Sequence, residues 1–169
     1  MQRLTISNPK TLRLATALTL TLICRSTIGE AGAADPARQW FAQGDQAASS
    51  VIYGTPESDD VLLSLACDHA TKTLTVWYTT EPAYSKDPKT LPIDIHSEGG
   101  SISLTGNGSR SELDDAYSLD VTTELTPQFE KLLSEATTLT ILVEDGTVEL
   151  PVDETARKGI EMIKTGCRK

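Results

Sequence analysis

Aromatic side chains are scarce, at 5% of 169 residues, which leaves little material for an extended aromatic binding platform. Histidine occurs only as His69 and His96, and neither a G-x-S-x-G nor an H-E-x-x-H pattern is present, so two common hydrolase signatures are excluded. Basic residues are outnumbered 15 to 24, for a net charge of −9. Nucleic acid and anionic membrane both need a basic footprint, so neither is expected as a partner. The three cysteines lack zinc-ligand spacing, and no metal or cofactor is expected. Long apolar runs are also missing. The stretch Leu14–Cys24 is about half the ~20 residues a membrane-spanning helix requires. No internal repeat or low-complexity segment occurs.

What is there begins with an export signal. Arg3, Lys10 and Arg13 form a basic lead, Leu14–Cys24 an apolar centre, and Ala31-Gly-Ala-Ala34 a small-residue site for cleavage after Ala33 or Ala34. Leu22 and Ile23 before Cys24 do not fit a lipoprotein signal. The expected organisation is a leader over residues 1–34 and one globular domain over 35–169, periplasmic or secreted. Loss of the leader removes Arg3, Lys10, Arg13 and Arg25 but only Glu30, leaving 11 basic and 23 acidic residues and a charge of about −12. It also removes Cys24, so Cys67 and Cys167 are expected to pair in an oxidising compartment.

The organising stretch is Val61-Leu-Leu-Ser-Leu-Ala-Cys67, apolar on both faces and therefore expected as a central strand. Thr73–Tyr78 returns as its hairpin partner, with Leu74, Val76 and Tyr78 inward and Trp77 on the opposite side. Short strands are also expected at Ser50–Tyr53, Leu91–Ile95, Ser101–Leu104, Ala116–Val121, Thr138–Val143 and Thr147–Val152. Gly54–Asp60, Gly106–Gly108 and Asp145-Gly146 read as turns, and Thr80–Lys89 as the longest loop. Thr126-Pro127 begins a short helix, and Asp153 caps a C-terminal one. Ala156, Ile160, Ile163 and Cys167 share a stripe of that last helix, aiming Cys167 at the core that Cys67 faces. The fold expected is mainly β (α+β): an antiparallel β-sandwich or partly open barrel of about seven to eight strands, with both helices packed on the sheet.

Gly54-Thr-Pro-Glu-Ser58, Ser64-Leu-Ala-Cys67, Leu150-Pro151 before the last helix, and its Cys167-Arg168 ending together resemble an uncharacterised family of small exported proteins of Gram-negative bacteria. The resemblance spans most of the chain after the leader. It implies the architecture and no catalytic residue.

His69 lies in an expected turn and His96 at a strand end, where solvated imidazoles are the default. Each has a nearby carboxylate, Asp68 or Asp94, but a triad needs a third partner. Glu57–Asp60 and Glu112–Asp115 lack the ligand spacing of a calcium loop and read as solvated turns. Trp77 and Tyr84 are the best candidates for a partner-binding surface, unless a helix covers Trp77. The leading expectation is a monomeric, non-enzymatic binding or accessory protein docking a basic envelope protein. The alternatives are an envelope hydrolase acting through His69 or His96, and a purely structural envelope component.

Overall fold

The computed structural model describes residues 38–80, 90–111, 116–144 and 146–168. The leader, Tyr84 and the 112–115 acidic cluster lie outside the described residues.

Nine antiparallel strands form one curled half-barrel sheet: β1 (Gln39–Gly44), β2 (Ala48–Gly54), β3 (Val61–Asp68), β4 (Thr73–Thr80), β5 (Thr90–Ser97), β6 (Gly100–Arg110), β7 (Tyr117–Glu124), β8 (Thr138–Val143) and β9 (Gly146–Pro151). Their spatial order is β1-β2-β3-β4-β7-β6-β5-β8-β9. The open-barrel expectation holds rather than the sandwich, with nine strands rather than seven or eight. As expected of a central strand, β3 pairs on both sides, Leu65 lying between Val51 and Val76. Strict alternation sends Leu63, Leu65 and Cys67 inward together with Leu74, Val76 and Tyr78. Hairpins join most sequence neighbours, whereas β4 and β5 are separated in space by β7 and β6.

Two expected turns fall elsewhere. Gly106–Gly108 lies inside β6, at the point where the strand changes partners: residues through Asn107 pair with β5, and Asn107–Arg110 pair with β7. A Cβ at Gly106 would sit 3.2 Å from side-chain carbons of Leu119 and Val121, so glycine serves close packing there rather than a reversal. Gly146 pairs with Val143 as the first residue of β9, so it belongs to the strand rather than to the turn. Pro92 precedes the ladder to β8, which starts at Asp94, so its missing N–H leaves no gap in that ladder.

Helices α1 (Pro127–Glu135) and α2 (Glu154–Cys167) both start on side-chain caps. The Thr126 hydroxyl accepts from the Phe129 amide at 3.2 Å, and the Asp153 carboxylate from Ala156 at 2.9 Å. Both pack on the inner face of the sheet, α2 across β1, β2 and β3 and α1 across β5 and β6. Burying Ile160 and Ile163 of α2 contributes about 1.5–3 kcal/mol each. At Gly159 a Cβ would lie 2.6 Å from Val51 Cβ, so this glycine lets α2 approach the sheet backbone closely. Cys67 and Cys167 are joined as a disulfide, their Cα atoms 5.8 Å apart, and this pins the end of α2 to β3. At the sheet's two edges, the Trp40 indole of β1 donates to the Pro151 carbonyl of β9 at 2.7 Å.

One carboxylate ties the β5–β6 turn to the start of β8. Glu98 accepts from the Thr137 hydroxyl and, at 2.9 Å, from its amide. These bonds, the hydroxyl's first, lower its pKa from 4.5 to about 2. A depressed folded pKa contributes stability that is complete above 4.5 and is lost as pH falls through 2. The stability gap between wild type and Glu98→Gln, followed by thermal melts, should therefore close as pH is lowered across that window; a constant gap would refute the assignment.

Candidate functional site

Two hairpin turns lie side by side under the end of α2. In the β1–β2 turn, Asp45 Oδ1 accepts from the Ala47 and Ala48 amides at 2.8 and 2.9 Å. The β3–β4 turn repeats the device, with Asp68 Oδ1 accepting from Ala70 and Thr71 at 2.9 and 2.8 Å. The backbone amides hold both carboxylates below their usual range, joined at Asp68 by the Thr71 hydroxyl. The turns are joined by the His69 amide, which donates to the Ala47 carbonyl at 2.9 Å.

This joint corrects the expectation of a solvated His69. Its imidazole is half-buried, with Nδ1 3.2 Å from the Gln46 carbonyl and Nε2 3.1 Å from Ser49 Oγ. Ser49 is itself buried, at 3% exposure. In the neutral imidazole, the carbonyl oxygen facing Nδ1 selects the tautomer with its proton there, and Nε2 accepts from the Ser49 hydroxyl. Above the ring lies Gly166 of α2, where a Cβ would stand 2.3 Å from Nε2, so only glycine leaves room for the ring. Lys72 Nζ donates to the Gly166 carbonyl at 2.7 Å, placing a cation where the helix dipole is negative. Ser49, His69 and Lys72, with Asp45, Glu161 and Met162, line a cleft of about 510 Å³.

The sequence hides Ser49 because its strand begins at Ala48, two residues before the β-rich run that opens at Ser50. In phase with Val51, it occupies an inward position, and a serine in an apolar phase is the signal that marks it. His96, in contrast, is exposed on the outer face of β5, opposite Ser101 and Thr140. Glu57–Asp60 forms a turn in which Asp60 binds Arg38 at 2.8 Å and the Thr55 hydroxyl at 2.5 Å. The hydrogen bonds from Arg38 and then Thr55 lower the Asp60 pKa. Among the described residues, no group of three or more His, Cys, Asp or Glu side chains is arranged to hold a metal, and no helix is long and apolar enough to cross a membrane.

A second feature is the outer face of the sheet. Both helices lie on the opposite side, so neither covers Trp77, which is half-buried. The register places Phe41, Ile52, Ser64, Trp77 and Asp120 in one row across five adjacent strands. Across the outer face Ser and Thr are frequent, and the charged outward positions are Asp120 in the row itself, Asp68 and Glu124 toward one end of β3 and β7, and Asp94 and Glu149 farther off on β5 and β9. Arg110 is the one Lys or Arg within the nine strands, and it sits over the inward Tyr117 ring, 5.9 Å from its centroid. The outward strand positions that are described thus carry carboxylates and no Lys or Arg. Tyr84, the other aromatic expected at a binding surface, lies outside the described residues.

Comparisons with protein-family models, with curated proteins and with solved structures returned no match to the chain.

Proposed function

We propose that this is an exported binding or accessory protein that docks a basic protein through the outer face of its sheet. The observation that carries the reading is the charge segregation: Phe41, Ile52 and Trp77 share one row with Asp120, on a face whose charged strand positions are carboxylates and never Lys or Arg. A desolvated aromatic anchor supplies affinity, while the surrounding acids steer a cationic partner and reject anionic ones. Export is supported by the basic and apolar lead before Ala31–Ala34, and the Cys67–Cys167 disulfide suits a periplasmic or secreted location. On this reading, intact mass of the native protein should give a chain starting at Ala34 or Asp35.

Docking is tested by capture of basic envelope proteins on the immobilised mature chain. Capture should occur at low salt and weaken at high salt, since ions screen exposed charges beyond about 10 Å at 0.1 M. Trp77→Ala and Asp120→Lys should each reduce capture at least tenfold, whereas Glu154→Lys on α2 should leave it unchanged. Equal capture by all three variants would show that the outer face is not the docking surface.

A further inference from the structure

We propose that Ser49 and His69 form a nucleophile–base pair that cleaves small, uncharged or cationic carboxylic esters in the cleft beneath α2. The inference stands apart from the docking reading, which uses the other face of the sheet.

Three parts of a nucleophilic site are arranged in sequence. The Gln46 carbonyl fixes the imidazole with its proton on Nδ1, the Nε2 lone pair accepts from Ser49 Oγ at 3.1 Å, and the hydroxyl lies in a cleft of about 510 Å³. That order of orienting group, base and nucleophile is the one general-base activation of serine needs. The cleft volume suits a small molecule. At 3% exposure, Ser49 meets only what enters the cleft.

The surroundings define the substrate class. Lys72 is the cation among the lining residues; one of its N–H groups is spent on the Gly166 carbonyl, leaving two to stabilise a developing oxyanion. Asp45 and Glu161 line the same cleft and disfavour anionic substrates, while the Met162 thioether offers an apolar surface for a short acyl chain. In the first step Ser49 Oγ bonds to the ester carbonyl carbon, and its proton passes to His69 Nε2. The carbon–oxygen bond to the alcohol then breaks, and His69 returns the proton to the departing oxygen. Water oxygen then bonds to the acyl carbon as His69 Nε2 takes its proton, the bond from that carbon to Ser49 Oγ breaks, and His69 returns the proton to Oγ. The products are the carboxylic acid and the alcohol, with both residues restored.

The test uses the mature chain with its disulfide intact and a fluorophosphonate probe, which transfers its phosphonyl group to an activated serine and releases fluoride. Mass spectrometry should locate the adduct on Ser49, and p-nitrophenyl acetate should be hydrolysed with the same loss on labelling. Ser49→Ala should abolish both signals. His69→Gln, which retains hydrogen-bonding capacity without the base, should slow labelling about 10²–10⁴-fold. If the folded wild-type chain takes up no probe at Ser49, or if His69→Gln labels at the wild-type rate, the pair is a structural hydrogen bond and the proposal is wrong. Labelling is read at Ser49 and docking by capture, so either reading can fail without the other.

Discussion

Replacing both Cys67 and Cys167 with alanine should cost up to about 4.7 kcal/mol of stability, the chain-entropy value for a bridge spanning 100 residues. For a domain of this size, each kcal/mol moves the melting temperature by about 3–5 °C, so a drop of roughly 10–20 °C is expected. Cys67→Ala and Cys167→Ala alone should match the double variant closely, since either removes the bond. The effect reaches the cleft as well. Cys167 follows Gly166, whose carbonyl holds Lys72 and whose bare Cα makes room for His69. Fraying of the last turn of α2 should therefore weaken the roof over Ser49 before the whole domain unfolds. Amide exchange in α2 should rise in the reduced protein at temperatures where β3 and β4 remain protected. A melting temperature unchanged by reduction would refute the role assigned to the bond.

The pairing of Cys67 with Cys167 was legible because two local patterns converge: period two turns Cys67 inward along β3, and the Ala156–Ile160–Ile163–Cys167 stripe turns Cys167 inward along α2. Strand existence was legible for the same reason in β2 to β9, alternation being a property of a few consecutive residues, but not in β1, whose Ala42, Gln43 and Gly44 carry little β signal. Strand order was not, because placing β7 beside β4 depends on pairings between distant segments such as Val76 and Val121. Gly106 and Gly108 read as a turn because glycine's use in reversals and its use in close packing leave the same letter. The Ser49–His69 contact joins residues 20 apart across the β2–β3 hairpin, and it depends on a strand that starts earlier than its β-branched residues suggest. The turn position of His69 says nothing of the helix that arrives above it from the far end of the chain. The outer face lay between these cases. Trp77 was placed opposite Leu74 and Val76 by alternation, but the absence of a helix over it follows only from both helices packing inside the curl.

Trp40→Ala should be the most damaging single substitution at the seam between the sheet's edges. Trp40 is 5% exposed, pairs directly with Tyr53 at a ring separation of 5.1 Å, and reaches across to the Pro151 carbonyl. Truncating a buried tryptophan costs about 3–5 kcal/mol through lost transfer energy and the cavity left behind. The hydrogen bond accounts for a small part of this, about 0.5–1.5 kcal/mol. Its loss lies towards the lower end, because Pro151 is exposed and water can replace the indole at its carbonyl. Trp40→Phe separates the two contributions: it keeps most of the ring packing on Tyr53 and forfeits the bond between β1 and β9. Chemical denaturation should rank wild type above Trp40→Phe by about 1–2 kcal/mol and above Trp40→Ala by at least 3. The Phe variant should also show faster amide exchange in β9 than in β3, because opening the seam exposes an edge strand and leaves the centre of the sheet intact. If Trp40→Phe proves as damaging as Trp40→Ala, the indole–carbonyl bond, and not ring burial, holds the two edges of the half-barrel together.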